Sequence, residues 1–284
     1  MQFPTSVDSG KKIYFASDLH LGVPTREKSL QREKLFVQWL DEISKDAQCI
    51  FILGDLFDFW FEYKQVVPKG FVRVLGKLAE LRDKNIPIYF FQGNHDQWMK
   101  NYFTEEMDIP IFNKEIQFEC SGKKFLIGHG DGLGPGDYKY KVIKKIFHAR
   151  VFRWLFARVH PNFGVWLGKK WSYNNRFLNG EVKEDFLGEE KEWLIGYARE
   201  MLKHEQIDFF IFGHRHLAMD YPLKEKSRYI NLGDWLRFFS YATFDGEKLE
   251  LRSLTLNPSP KERETDAKNS ITNNSVIIKP SVKK

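Results

Sequence analysis

At 284 residues and 42% hydrophobic, the chain is long enough to bury a full core in one large domain. Only two cysteines are present, Cys49 and Cys120, each inside an apolar or alternating stretch, which excludes a disulfide framework and fits buried thiols in a reducing compartment. Net charge is +6, but residues 132–180 hold ten basic residues against the single acid Asp137, so that segment is +9, the remainder is −3, and an anionic partner is expected at one region.

Residues 1–12 lack the apolar run of a signal peptide, and no apolar run approaches the roughly 18 residues of a spanning helix. The expected location is the cytosol. Residues 12–17 read as a strand delivering Asp18 and His20, and 25–44 carry Leu30, Phe36, Val37, Leu40 and Ile43 at helical spacing. Strand followed by helix points to an α/β layer arrangement. The run Cys49-Ile50-Phe51-Ile52-Leu53 is a buried strand that opens into Gly54-Asp55-Leu56-Phe57-Asp58. Residues 70–84 are helical with Val74, Leu78 and Leu81 on one stripe, and 86–91 form a third strand ending at Gly93-Asn94.

Runs 116–120 and 124–127 flank Ser121-Gly122, a hairpin signal whose second arm delivers His129. Beyond the hinge-like Gly132-Leu133-Gly134-Pro135-Gly136, residues 138–159 place Ile143, Phe147, Val151, Trp154 and Leu155 close to one helical face among basic residues. This is an amphipathic, cationic insertion. In most proteins such an aromatic stripe is core, Lys144-Lys145 and Lys169-Lys170 are solvated face, and Trp60 is core packing. Residues 189–204 return to helix, 207–212 to a buried strand, and 228–232, 239–244 and 248–254 to shorter strands with Asp245-Gly246 as a turn. From 257 onward Pro, Ser, Asn and mixed charge predict a disordered tail, despite Val276-Ile277-Ile278.

Five of the eight histidines, His20, His95, His129, His214 and His216, fall at strand ends beside Asp or Asn. One alone would more often be structural, whereas five in series point to a metal centre. Asp, His and Asn suit small hard or borderline dications, and a carboxylate shared between two ions makes a two-metal site, with Asp55 as the residue the others meet around. Two ions about 3.5–4 Å apart activate water and neutralise phosphoryl oxygens, so the chemistry indicated is hydrolysis of a phosphate ester or anhydride. Alternate residues leaving a strand point the same way, so His214 and His216 can face one pocket. His148, His160 and His204 lack neighbouring ligands and receive no role.

Asp18-x-His20, Gly54-Asp55-x-x-Asp58, Gly93-Asn94-His95-Asp96, Gly128-His129-Gly130-Asp131 and Gly213-His214-x-His216, in this order, resemble the calcineurin-like metallophosphoesterase superfamily over about residues 12–254. The resemblance implies an α/β (α+β) fold, a four-layer αββα sandwich of two mixed β-sheets with outer helices. The domain would span 1–256, with a helical lid insertion at 132–180 and the tail at 257–284. It implies one metal on Asp18, His20, Asp55 and His216 and another on Asp55, Asn94, His129 and His214. His95 would sit by the phosphate as a general acid or charge stabiliser, with Asn94 beside it and Asp96 orienting it.

Within the superfamily the chain is similar to the UDP-2,3-diacylglucosamine pyrophosphatases of lipid A synthesis. The matching residues are Asp18-Leu19-His20-Leu21, Gly54-Asp55-Leu56-Phe57-Asp58-Phe59-Trp60, Asp137 with Tyr140, Ser172 with Asn175, and Asn231-Leu232-Gly233-Asp234-Trp235. That similarity implies two divalent ions, Mn²⁺ with Fe²⁺ or Zn²⁺ as alternatives. It implies water attack on the α-phosphorus releasing UMP, and peripheral attachment to the inner face of the cytoplasmic membrane. Substrate contacts would come from Asn94, His95, Asp137, Tyr140, Ser172, Asn175, Arg176 and His214. The lid, rich in Phe, Trp, Lys and Arg, suits fatty chains, a diphosphate and an anionic membrane surface together. His95 departs from the Arg usual in that family, and a titratable group in place of a fixed cation can serve a different leaving group.

Two rival readings belong to other classes. A nuclease of the same superfamily would use the basic stretch on a phosphodiester backbone, but its charge should track an open groove, and here it is interleaved with large apolar groups, so no nucleic acid is expected. A non-catalytic scaffold is opposed by the complete ligand set.

Overall fold

The computed structural model describes residues 3–134, 138–173, 186, 188–224 and 226–254, with the backbone alone described at 138–140, 143, 148 and 173. The expected tail at 257–284 lies outside these residues. In the first half, β1 (Lys12–Ala16), α1 (Arg26–Ile43), β2 (Ala47–Ile52), α2 (Val72–Asp83), β3 (Ile88–Phe91), α3 (Tyr102–Met107) and β4 (Ile111–Phe112) alternate strand with helix. The hairpin β5 (Ile116–Cys120) and β6 (Lys123–Gly128) follows, then α4 (Tyr138–His148), α5 (Arg150–Phe156), α6 (Pro161–Tyr173) and α7 (Trp193–Met201). The chain closes with β7 (Phe209–Phe212), β8 (Ala218–Pro222), β9 (Arg228–Leu232), β10 (Ser240–Phe244) and β11 (Leu249–Ser253).

The strands form two mixed sheets, ordered β11-β10-β1-β2-β3-β4 and β5-β6-β7-β9-β8. Their period-two patterns explain the layering. In β1, Ile13 and Phe15 face inward with Phe51, Leu53, Phe125, Ile127, Phe209 and Ile211, making the core between the sheets. The alternate residues Tyr14 and Ala16, with Ile50 and Ile52, meet Phe36 and Leu40 of α1 and Val74, Leu78 and Leu81 of α2. On the far side, Leu126, Phe210 and Phe212 bury against Leu194, Ile195 and Ala198 of α7. Helices therefore cover both outer faces, and the four-layer αββα order follows. Cys49 and Cys120 are free and buried between the sheets.

Sequence and structure agree closely where a cap or turn fixes a boundary. Thr25 Oγ1 accepts the Lys28 amide at 3.2 Å to start α1. Ser121 and Gly122, both at positive φ (49° and 70°), turn the β5–β6 hairpin. Three short elements, α3, β4 and β8, were not visible in the pattern. The structure also corrects the reading of 138–159 as one helix: at Ala149 the backbone turns extended (ψ 131°), separating α4 from α5. The break divides the aromatic stripe. Phe147 packs with Phe152, Phe156, Phe59, Phe61 and Trp98, whereas Val151, Trp154 and Leu155 are 69%, 55% and 53% exposed. Trp60 is fully buried and stacked on Phe57 at 4.4 Å.

The site depends on one feature of this topology. In the first sheet β1, β2 and β3 run parallel with Ala16 level with Ile52 and Ile52 level with Phe90. In the second, β6, β7 and β9 run parallel with Gly128, Phe212 and Asn231 in line. The carboxyl ends of parallel strands are where α/β sheets present their ligand-binding loops.

Candidate metal centre

The ends of β1, β2, β3, β6 and β7 are each followed by one of the five motifs. Asp18 and His20 follow β1, Asp55 and Asp58 follow β2, and Asn94 and His95 follow β3. His129 follows β6, and His214 and His216 follow β7. Five of these residues, Asp18, His20, Asp55, His214 and His216, have φ between 47° and 69°, a left-handed backbone that turns a side chain back over its own strand end. Two glycines in the motifs are set by close approach. A Cβ on Gly93 would collide with the Asp55 carboxylate, and one on Gly213 with the Ser17 hydroxyl and the Asp18 carboxylate. The loops are also cross-linked: the amides of Asp18 and His20 donate to the carbonyls of Gly54 and Asp55 at 3.1 and 2.9 Å.

The side chains converge in two groups. In one, His20 Nε2 lies 3.0 Å from His216 Nε2, and His216 Nε2 lies 3.3 Å from Asp18 Oδ1. In the other, Asn94 Oδ1 lies 3.1 Å from His129 Nε2 and 2.8 Å from His214 Nδ1. Asp55 Oδ2 reaches both, at 3.7 Å from His20 Nε2 and 3.3 Å from His129 Nε2. The seven residues expected as ligands are thus brought together with Asp55 between the two groups. His95 also enters, since its ligand atom lies within 4.8 Å of ligand atoms of His20 and Asp55.

Second contacts on the other ring nitrogens favour one nitrogen facing inward. His129 Nδ1 donates to the Leu53 carbonyl at 2.8 Å, His20 Nδ1 lies 3.4 Å from Asp58 Oδ1, and His216 Nδ1 lies 3.3 Å from Asp234 Oδ2. In each neutral ring Nε2 then presents a lone pair to the centre, as metal-ligating histidines do. His129 Nε2 consequently points at two further acceptors, Asp55 Oδ2 and Asn94 Oδ1. Asp18 Oδ1 is buried and accepts no hydrogen bond. Converging acceptors with no donor among them require a proton or a cation, so these residues fit divalent ions.

The electrostatics of the protein alone show the same need. Burial works against the His129 imidazolium, but the charge and hydrogen bond of Asp55, then the charge of Asp18, outweigh it and push its pKa up to about 10. Burial also opposes ionisation of Asp55, yet the charges of His129 and His95 hold its carboxyl well below the usual range. His214 goes the other way: burial and the neighbouring His129 charge press it down to about 3. Burial pushes Asp18 up.

His95 and its surroundings differ from the expectation in one respect. Asp96 does not orient the His95 ring. Its carboxylate accepts the backbone amides of Gly93 at 2.8 Å and of Asp55 and Phe57 at 3.3 Å, tying the loop after β3 to the loop after β2. Burial and the Asp55 charge raise its pKa to about 8 against those donors. The ring is held instead by the Asp58 carbonyl and the Ser172 hydroxyl, each 3.1 Å from Nδ1, and lies edge-on to His20 at 4.8 Å. Ser172 in turn donates to Asp58 Oδ2. Asp58 and Asp234 as supports of His20 and His216 were not read from sequence, although both stood inside quoted motifs. Arg32, donating to the His20 carbonyl at 2.7 Å, carried no sequence signal. Of the remaining expected contacts, Asp137, Asn175 and Arg176 lie outside the described residues, as does the side chain of Tyr140.

Two cavities meet the cluster. One of about 460 Å³ is lined by Asn94, His95 and His214 on the cluster side and by Phe147, Phe152, Phe156, Leu167 and Trp171 of the α4–α6 insertion. The other, also about 460 Å³, is lined by His129, Gly130 and Asp131 together with Gln92, Asn113, Lys114, Glu115, Leu133, Lys141 and Lys144.

Comparison with known proteins places this arrangement. Residues 11–218 match the family model described as calcineurin-like phosphoesterase. A UDP-2,3-diacylglucosamine hydrolase of Porphyromonas gingivalis is 40% identical over 259 residues, 86% of this chain and 97% of that protein. One from Vibrio vulnificus is 29% identical, with 84% and 96% covered. Among solved structures, Yfce, a phosphoesterase from E. coli, aligns over 85% of this chain and 92% of its own at 18% identity, with a TM-score of 0.40.

Proposed function

This chain belongs to the calcineurin-like phosphoesterase family, and from that premise we propose that it hydrolyses the pyrophosphate of UDP-2,3-diacylglucosamine to UMP and 2,3-diacylglucosamine 1-phosphate. The observation that carries this reading is the apolar cavity opening directly on Asn94, His95 and His214. A phosphoesterase for small or polymeric polar substrates has no need of aromatic rings beside its reacting atoms. Two acyl chains joined through one sugar to a diphosphate require that juxtaposition.

Asp18, His20, Asp55 and His216 would hold one divalent ion and Asp55, Asn94, His129 and His214 another, Mn²⁺ by preference, and such ions would supply water activation and neutralise phosphoryl charge. The chain's own part is positioning. Asp58, Asp234 and the Leu53 carbonyl hold three imidazoles in one tautomer. The water oxygen bonds to the uridylyl phosphorus while the P–O bond to the sugar phosphate breaks, its electron pair leaving on the sugar phosphate and the water proton passing to solvent. That leaving group is already a stable anion, so His95, with Nδ1 anchored and Nε2 facing the centre, is assigned to stabilising charge on the phosphates and not to general acid catalysis.

The lid also carries the attachment surface. Trp154 and Trp166 are more than half exposed, with the Arg158 guanidinium 4.2 Å and the Lys170 ammonium 4.9 Å from their respective rings. Aromatic rings that sink to headgroup depth, paired with cations that meet lipid phosphates, suit peripheral binding at the inner face of the cytoplasmic membrane. No helix among the described residues is long and apolar enough to cross a membrane. The test is incubation with Mn²⁺ and UDP-2,3-diacylglucosamine, a UDP-sugar without acyl chains, or single-stranded DNA, scored for UMP or released nucleotides. UMP from the acylated substrate alone is the expected result. Faster release from DNA would overturn the reading in favour of a nuclease.

A further inference from the structure

The two cavities differ in chemistry and share a border. The apolar one reaches the cluster through Asn94, His95 and His214, the polar one through His129, and Lys144 of α4 lines both. Lys144 is fixed at that border by Asp131, whose carboxylate lies 2.6 Å and whose carbonyl lies 3.0 Å from Nζ. An ammonium has three donors, and among the described residues these contacts occupy two. The third is available to a phosphate spanning the border.

We propose that the polar cavity seats the nucleoside half of a nucleoside diphosphate lipid, with Lys144 touching the diphosphate between the two halves. The inference rests on the substrate reading above and extends it to a site for the second half. A diphosphate holds its substituents at opposite ends, so an acylated sugar in the aromatic cavity sends the nucleoside out of the cluster by another route. The cavity at His129 has the matching chemistry. A pyrimidine nucleoside offers an imide N–H, carbonyl oxygens and ribose hydroxyls. The Asn113 amide, the Gln92 side-chain oxygen (its Nε2 donates to the Met99 carbonyl at 2.8 Å), the Glu115 carboxylate and the Lys114 ammonium supply complementary donors and acceptors, while Leu133 provides an apolar face. About 460 Å³ falls within the usual size of a small-molecule site.

Asn113 is exposed at the rim of this cavity and lies outside both candidate metal-ligand sets. The experiment compares the Mn²⁺-loaded wild type and Asn113→Trp on UDP-2,3-diacylglucosamine and on the same lipid diphosphate with a methyl group in place of uridine. Wild type should prefer the uridine substrate by about tenfold or more in kcat/KM, the worth of one or two hydrogen bonds. Asn113→Trp should abolish the preference by lowering the uridine value to that of the methyl analogue, whose own value stays the same. Equal hydrolysis of both substrates by wild type, a preference that survives in the variant, or an equal loss on both substrates would each overturn the assignment. If neither lipid is cleaved, the substrate reading fails by itself. UMP inhibition of bis(4-nitrophenyl) phosphate hydrolysis then decides: inhibition weakened by Asn113→Trp upholds the nucleoside site, and absent or unaltered inhibition removes it.

Discussion

Ser172 is a polar link between the α4–α6 insertion and the reacting centre, and replacing it with alanine isolates what that link contributes. The residue lies near the end of α6 and is 4% exposed. Its hydroxyl donates to the Asp58 carboxylate and stands 3.1 Å from His95 Nδ1. Because Asp58 takes the hydroxyl proton, the oxygen is left to accept from His95, so Nδ1 carries the ring proton and Nε2 faces the centre. Alanine removes a hydrogen bond to a charged acceptor, worth about 1.5–3 kcal/mol, and leaves the buried Asp58 and the partly buried His95 each short of a partner. At about 1.4 kcal/mol per factor of ten, the docked arrangement of α6 becomes roughly 10- to 150-fold less favoured. Two substrates separate lid from chemistry. On UDP-2,3-diacylglucosamine, which needs the lid cavity, Ser172→Ala should lose one to two orders of magnitude in kcat/KM, and Ser172→Thr should recover most of it. On 4-nitrophenyl phenylphosphonate, which does not fill the cavity and has an acidic leaving group, the change should stay within about threefold, since the lid contact is not used. Equal loss on both substrates would show that Ser172 acts through the centre and not through the lid, and no loss on either would refute the coupling altogether.

Asp55→Ala should lower metal content in both groups and abolish hydrolysis, whereas Asn94→Ala should deplete one group preferentially; elemental analysis returning two full equivalents in Asp55→Ala would disprove the shared carboxylate. In the metal-free protein, His129 binds its proton up to about pH 10 when folded, against an ordinary value of about 6.5. Its contribution to stability is therefore complete below pH 6.5 and disappears as pH rises through about 10. The urea midpoint of EDTA-treated protein should fall across that window and flatten in Asp55→Asn; a midpoint that rises there contradicts the ion pair. Trp154→Glu with Trp166→Glu should release the protein from anionic vesicles at low salt without altering 4-nitrophenyl phenylphosphonate turnover, and sedimentation that matches wild type would exclude this face as the contact.

The fold was legible where burial sets a clean period. Ile13 and Phe15 against Tyr14 and Ala16, or Val74, Leu78 and Leu81 along α2, declare their faces without help from the rest of the chain. The insertion was harder, because its apolar residues serve two surfaces at once. Phe147 and Phe156 turn toward Phe59 and Trp98, while Trp154 and Leu155 look outward. A helical wheel drawn through Ala149 merges the two, since nothing in that residue's identity announces an extended backbone. The missed elements have another cause: β4 has two residues and α3 six, too few to repeat a period twice, and burial along the five residues of β8 does not alternate.

The centre shows a sharper division between what residue type reveals and what only the fold can. The ligand types and their Gly neighbours were readable, because a strand-end Asp or His beside glycine is chemically conspicuous. Why glycine stands there was not: Gly93 and Gly213 leave room for the carboxylates of Asp55 and Asp18, which come from distant strands. Nor did sequence reveal that five of the candidate ligands hold a left-handed backbone. At about 1–2 kcal/mol each, that conformation costs on the order of the whole net stability of a domain. Backbone bonds between the loops after β1 and β2, the Asp96 carboxylate across the loops after β2 and β3, and the Asp18 carboxylate on the His214 amide at 2.9 Å offset it. Asp96, expected beside the catalytic histidine, thus has its consequence one step earlier. Asp96→Asn should leave the His95 contacts to Asp58 and Ser172 in place while loosening the Asp55 loop, so metal affinity should fall more than the turnover of the fully loaded enzyme. A variant that binds metal as wild type does but turns over a hundredfold more slowly would return Asp96 to the role of orienting His95.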